Sequence, residues 1–219
     1  MNNQRNLAIY RLYAPLYDFA FRRVSAAGRR HAIELLNLQP GERVIIPGVG
    51  TGLDLPFLPL DLHITATDLS PAMLSKARAK ARGREAAFAV MDAQALQFPD
   101  GSFDAVILNL ILSVVPDGTA AFREAWRVLR PGGRAVIFDK FMPEQSRLSP
   151  FRQLLGGVIR ALGTDPNRRL SEIIGGSSGL VVERDEASLL RGQYRIVLLR
   201  KGGNPECPVS MPALARAGS

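Results

Sequence analysis

The stretch Glu42-Arg-Val-Ile-Ile-Pro-Gly-Val-Gly-Thr-Gly52 constrains the fold of this chain more than any other. Val44, Ile45 and Ile46 make an apolar run of the kind that a strand buried on both faces shows. Pro47 has no N–H for a ladder and stops the strand. Gly48, Gly50 and Gly52 then alternate, a pattern that leaves the backbone open to close approach and free to take positive φ. In an open α/β sheet such a turn lies at the carboxyl end of a strand, where ligands bind. A glycine-rich turn also serves as a tight connection, so the residues downstream decide its meaning.

The chain beyond the turn alternates regularly. His63-Ile-Thr-Ala-Thr-Asp68 is β-rich and ends in an acid. Ser70-Pro71 opens a helix with proline in its first turn, and Met73, Leu74, Ala77 and Arg78 carry it towards Arg82. A strand from Ala87 to Met91 ends at Asp92, and Asp104 to Asn109 is a fourth strand after the turn at 98–103. Thr119 to Leu129 is a helix stopped by Arg130-Pro-Gly-Gly133, and Arg134 to Asp139 is a fifth strand. Between Leu53 and Leu60 a helix starts and is cut short by Pro56 and Pro59. This order predicts an α/β fold, an open and mainly parallel sheet with helices on both faces. Gly179 to Glu183 and Gln193 to Leu199 are expected to close it as an antiparallel pair, making seven strands.

Residues 1–40 are expected to form a helical segment outside this domain. Tyr13, Leu16, Tyr17, Ala20, Phe21 and Val24 recur at helical spacing, and His31 to Leu38 is a second helical stretch. Arg22, Arg23, Arg29 and Arg30 flank them. A basic amphipathic helix of this kind lies in a membrane interface or covers a site, or it packs on the sheet with its arginines in water. The α/β domain spans 41–200, with a helical insertion at 140–176 whose stripe Phe151, Leu154, Leu155, Val158, Ile159 and Leu162 is surrounded by arginines. Residues 201–219, rich in Pro, Gly and Ala, are expected to be a disordered tail.

Composition removes several chemistries. The single Cys207 cannot form an internal disulfide, and neither a zinc site nor a thiol mechanism is supported, which points to a cytosolic protein. His31 and His63 are the only histidines, so no multi-histidine metal site is expected. No apolar run reaches the roughly 18 residues of a membrane span. The net charge of +8 favours an anionic partner, nucleic acid or a membrane face, or serves only solubility.

A strand, a glycine loop, Asp68 after strand two, Asp92 after strand three and Leu129-Arg-Pro-Gly-Gly133 before strand five follow one another in an order that resembles the class I S-adenosylmethionine-dependent methyltransferases. The resemblance covers residues 10–200 and implies their Rossmann-like fold. Carried over by position, it implies that Gly48, Val49, Gly50, Thr51 and Gly52 surround the methionine and ribose of the cofactor, with Tyr17 also at the cofactor. Asp68 would hold the ribose hydroxyls, Leu69 and Met73 would flank the adenine, and Asp92 with Ala93 would meet its amino edge. Asn109 would border the methionine part and the reacting centre. The chemistry of the residues agrees: a strand-end carboxylate accepts two hydrogen bonds from a vicinal diol, and adenine needs apolar faces with one acceptor. The structural alternatives are an acid in the helix N-cap region for Asp68 and a plain turn acid for Asp92. For Asp104, at the start of a strand, the structural reading is preferred.

One departure is clear. The family carries an acid two residues before the first glycine, where this chain has Ile46. Asp54 either stands in for it or is an exposed acid at a helix start. Within the family, Tyr10-Arg-Leu-Tyr-Ala-Pro-Leu-Tyr-Asp18, Gly50-Thr-Gly-Leu-Asp-Leu-Pro56 and Asp139-Lys-Phe141 look most like bacterial phosphatidylethanolamine N-methyltransferases. That implies a phospholipid amine as substrate and peripheral attachment to the anionic inner face of the membrane; a monomer is expected. Tyr10, Tyr13 and Tyr17 are the candidates for cation–π contact with a methylated ammonium, or else pack in the core. Asp139 would take the proton or pair with the amine, or be structural. The alternatives are a quinone-precursor methyltransferase, another small-molecule methyltransferase, and a binding protein that keeps the fold without catalysis, for which Ile46 argues. Nucleic acid is not expected as substrate, because Asn109-Leu-Ile-Leu112 stands where an Asn-Pro-Pro-Tyr tetrapeptide would be needed.

Overall fold

The computed structural model describes residues 25–142, 168–189 and 193–203. Tyr10, Tyr13, Tyr17, Cys207 and the apolar stripe of the insertion lie outside these residues. Seven strands form one sheet: β1 (Arg43–Pro47), β2 (His63–Asp68), β3 (Ala86–Val90), β4 (Phe103–Asn109), β5 (Leu129–Lys140), β6 (Leu180–Ala187) and β7 (Tyr194–Lys201), in the order β3-β2-β1-β4-β5-β7-β6. The first five strands run parallel, and β7 lies antiparallel between β5 and β6. The helices are α1 (25–35), α2 (Pro71–Lys80), α3 (Gly118–Val128) and α4 (Leu170–Ile174).

Alternation along the strands splits the core in two. Ile45, Val106, Leu108, Ala135 and Ile137 face α3, meeting Phe122, Ala125 and Trp126. Val44, Ile46, Ala105, Ile107, Val136 and Phe138 face the other way, against Ala32 and Ile33 of α1, Leu36 just after it, and Leu74 and Ala77 of α2. Gly28 lets α1 approach β5 closely, since a Cβ there would lie 2.7 Å from a ring atom of Phe138.

Four sequence expectations need correction. Residues 25–35 are one continuous helix through Arg29 and Arg30, and the helical stretch ends at 35, not at Leu38. The expected helix after the glycine loop is a single 3-10 turn, Leu55–Phe57, because Pro56 and Pro59 deny it further N–H donors. β5 begins at Leu129, not Arg134: Arg130-Pro-Gly-Gly133 stays in the sheet across a register shift opposite Phe103–Ala105. Lys201, assigned to the tail from sequence, ends β7, and its Nζ donates to the carbonyl oxygens of Trp126 (2.6 Å) and Leu129 (2.7 Å).

Candidate functional site

The carboxyl ends of β1 to β5 lie along one edge of the sheet and bring Gly48–Gly52, Asp68, Asp92, Asn109 and Asp139 to it. The glycine loop is tied to the end of β2. Val49 N donates to Thr67 O (2.9 Å) and Gly50 N to Asp68 Oδ2 (2.9 Å), while Lys80 reaches back from α2 to the carbonyl oxygen of Thr51. Gly48, Gly50 and Gly52 all have positive φ, at 65°, 56° and 75°. They differ in surroundings. A Cβ on Gly52 would stand 2.8 Å from Cα of Ala77, whereas one on Gly50 would meet no atom within 4 Å. Gly52 lets the loop pack on α2, and Gly50 keeps backbone exposed to an open space.

Asp68 closes the β2 side of that space. Its two oxygens accept one N–H each, from Gly50 and from Ser70 (2.8 Å), which leaves each oxygen lone-pair capacity for a hydroxyl. Ser70, not Asp68, caps α2, its side chain accepting from Met73 N. Burial pushes the Asp68 carboxyl above the ordinary aspartate range, against the pull of the Ser70 and Gly50 N–H groups. Leu69 and Met73 are half-buried beside it. Asp92 follows the neighbouring strand end, and its oxygens accept from Gln94 N (2.9 Å) and Gln94 Nε2 (2.9 and 3.1 Å), with Ala93 buried next to it. Asp104 lies at the opposite end of β4 and accepts from Arg43 N (2.7 Å) and Arg130 Nε (2.5 Å).

β4 ends in a sharp turn at Leu110, a non-glycine residue at φ 60°, whose N–H donates to Phe138 O (2.8 Å). Such strain persists only where its surroundings over-determine it. Here the following loop is held twice. Ser113 N donates to Asp139 Oδ2 (3.0 Å), and Arg168 donates to the carbonyl oxygens of Leu112, Val115 (2.7 Å) and Pro116 (2.7 Å). Asp139 is fully buried, which pushes its carboxyl up despite hydrogen bonds from Ser113 and Lys140. Arg168, expected among the arginines around the insertion helix, is a latch on the site's rim.

The sequence alternatives for Asp54 are settled against exposure: it is buried, and both oxygens accept from Arg29 Nη1 (2.8 and 2.9 Å). Asn109 Nδ2 adds a third hydrogen bond to Asp54 Oδ1 (2.8 Å). Arg29 therefore does not lie in water as one of a basic row. Arg30, the other described member of that row, is exposed and stacks over the Phe57 ring at 5.2 Å. Arg29, in sequence one of four flanking arginines, falls on the buried stripe of Ala32, Ile33 and Leu36 continued backwards by one turn. A charge on an apolar stripe is the signal that could have found it.

The donor set fits S-adenosylmethionine on observations independent of resemblance. These are an open glycine cradle, a strand-end carboxylate with spare acceptor capacity, and a buried Asn109 Oδ1 with no partner among the described residues. Comparison with known proteins agrees. A family profile described as "Methyltransferase domain" matches residues 46–137. The phosphatidylethanolamine N-methyltransferase of Cereibacter sphaeroides is 38% identical over 152 residues, covering 68% of this chain and 74% of that protein. The demethylmenaquinone methyltransferase of Thermus thermophilus is 38% identical over 167 residues, covering 67% of this chain and 74% of its own. Among solved structures, geranyl diphosphate C-methyltransferase from Streptomyces coelicolor, bound to Mg2+, geranyl diphosphate and S-adenosyl-L-homocysteine, superposes with a TM-score of 0.65 at 16% identity, covering 80% and 77% of the two chains. That likeness bears on the fold.

Proposed function

The chain belongs to the class I S-adenosylmethionine-dependent methyltransferases, and we propose that it N-methylates phosphatidylethanolamine and its mono- and dimethyl forms at a membrane surface. The observation that carries the substrate is the similarity to the Cereibacter sphaeroides enzyme over most of that protein's length.

When bound, S-adenosylmethionine supplies a methyl group on a positively charged sulfur, open to in-line displacement by a neutral amine. The chain's part is positional, and no nucleophile of its own is needed. Holding the reactants in line is worth about 7–11 kcal/mol. In this reading Asp68 holds the ribose hydroxyls, Leu69 and Met73 sandwich the adenine, and the backbone at Gly50 accepts close approach. Asp92 and Ala93 meet the adenine edge, and Asn109 stands at the reacting end. Tyr10 and Tyr13 are assigned to the methylated ammonium and Tyr17 to the cofactor, where aromatic faces tolerate positive charge. Asp139, buried and accepting from Ser113 N, fixes the loop at the rim and is also the candidate to take the amine's proton.

A second reading, methylation of a quinone precursor, is favoured by the name of the Thermus relative. Carbon methylation of a phenolic ring calls for a base near the reacting carbon. Both imidazoles are committed elsewhere: His31 to Glu186 (2.7 Å), and His63, at the opposite edge of the sheet, to Glu85 (3.0 Å). That supports the amine. The test is transfer of labelled methyl from S-adenosylmethionine into vesicles carrying either phosphatidylethanolamine or demethylmenaquinone, with the lipids separated afterwards. Label in mono- and dimethyl phosphatidylethanolamine is expected. Label in the quinone alone would replace the lipid-amine reading.

A further inference from the structure

Position 46, where the resemblance expects a carboxylate, is an isoleucine only 1% exposed in the core beneath α1. Three polar side chains nevertheless converge near the same strand ends from three elements. They are Arg29 of α1, Asp54 after the glycine loop and Asn109 at the end of β4, exposed by 9, 2 and 5%. Asp54 accepts three hydrogen bonds, Arg29 Nη1 on both oxygens and Asn109 Nδ2 on one. Its charge is compensated by the guanidinium, so it offers no net negative charge to a ligand.

The geometry fixes what remains. A carboxylate only accepts, so the nitrogen of the Asn109 amide must face Asp54 and its Oδ1 must face away. Two buried atoms are then without a partner among the described residues: Arg29 Nε, a donor on a cation, and Asn109 Oδ1, an acceptor. Orphaned buried polar atoms are uncommon and costly, and at a strand-end site a bound ligand is one group that satisfies them. A donor edge on a guanidinium beside an amide oxygen complements a zwitterion, with a carboxylate on the first and an ammonium on the second.

We propose that Arg29, Asp54 and Asn109 form the subsite for the amino-acid end of S-adenosylmethionine, in place of a β1 acid. Arg29 takes the carboxylate, Asn109 takes the ammonium, and Asp54 is a positioning residue that orients both. This rests on the methyltransferase assignment above. The phosphoethanolamine headgroup is a zwitterion too, so the test must separate the two sources.

The test is calorimetric titration of the full chain with S-adenosylhomocysteine, with its decarboxylated analogue, which keeps the amine, and with glycerophosphoethanolamine. The wild-type chain is expected to prefer S-adenosylhomocysteine to the decarboxylated analogue by about 10- to 100-fold, the range of a charge-assisted hydrogen bond. Arg29→Met should erase that preference. Arg29→Lys keeps a cation beside Asp54 and so guards against misfolding. It should lose most of the preference with a near-native melting temperature, because an ammonium lacks the planar fork. Equal binding of the two ligands by the wild-type chain would overturn this proposal alone, as would an equal loss for both in a folded Arg29→Lys. Binding of glycerophosphoethanolamine that Arg29→Lys weakens, with the carboxylate preference intact, would give the cluster to the headgroup and also overturn it. No binding of S-adenosylhomocysteine at all would overturn both the proposal and the assignment beneath it.

Discussion

Asp68 has opposing demands on its charge. Two N–H groups point at its carboxylate, yet burial outweighs them and raises its pKa. To accept both hydroxyls of a ribose it must be ionised. Affinity for S-adenosylhomocysteine should therefore fall as pH drops, beginning above the pH at which an ordinary aspartate takes up its proton. Titrations between about pH 4 and pH 8 would show this, and Asp68→Asn should bind about 10- to 100-fold more weakly with that pH dependence gone. The stability of the ligand-free chain runs the other way. With the native pKa above the unfolded one, this group's contribution is fully present below the unfolded pKa and is lost as pH rises through the folded value. Asp68 was legible in the sequence because a strand-end acid after a glycine loop is a local pattern. The Arg29–Asp54–Asn109 cluster was not, because its members are 25 and 55 residues apart and only the fold joins them.

The glycine loop shows how one element serves packing and binding at different residues. Gly52 at φ 75° lies against the α2 backbone, so Gly52→Ala meets both a strained dihedral and an overlap with Ala77. A stability loss of about 2–4 kcal/mol in urea unfolding is expected. Gly50→Ala has the same backbone sign but open space around its Cβ. It should lose only about 1–2 kcal/mol and yet bind S-adenosylhomocysteine poorly, because the methyl group fills the cradle. Comparable affinity for Gly50→Ala and wild type would show that nothing approaches that backbone. The strands were readable wherever apolar runs met turn residues, as at Val44–Ile46. The start of β5 was not. Pro131 and two glycines read as a helix stop followed by a loop, whereas Leu129 pairs with Phe103 across a bulge that a one-dimensional pattern cannot show.

At the scale of the molecule, the sheet carries much of its basic charge already paired. Arg43 and Arg130 share Asp104, Arg134 meets Glu42, Arg195 meets Asp185 and Arg200 meets Glu183. Burial tends to raise the Asp104 pKa, but the Arg43 N–H and the two guanidiniums more than offset it and hold it low. The positive excess falls largely elsewhere. Residues 1–24 hold Arg5, Arg11, Arg22 and Arg23 against Asp18 alone, and residues 143–167 hold Arg147, Arg152 and Arg160 against Glu144 and Asp165. No helix among the described residues is long and apolar enough to cross a membrane. In the proposed reading the lipid substrate is reached from the surface, by attraction to anionic headgroups. Each basic residue near such a surface adds about 1 kcal/mol, so the triple variant Arg11→Gln, Arg22→Gln, Arg23→Gln should lower affinity for phosphatidylglycerol vesicles by about 100-fold. Arg195→Gln with Arg200→Gln, which removes cations already held by carboxylates, should change it far less. Co-sedimentation at low salt, where surface attraction is least screened, separates the two outcomes. Equal losses in both variants would mean that vesicles read only the overall charge. No binding to anionic vesicles by the wild-type chain would remove electrostatic docking from the account and leave the amine to be sought among soluble molecules.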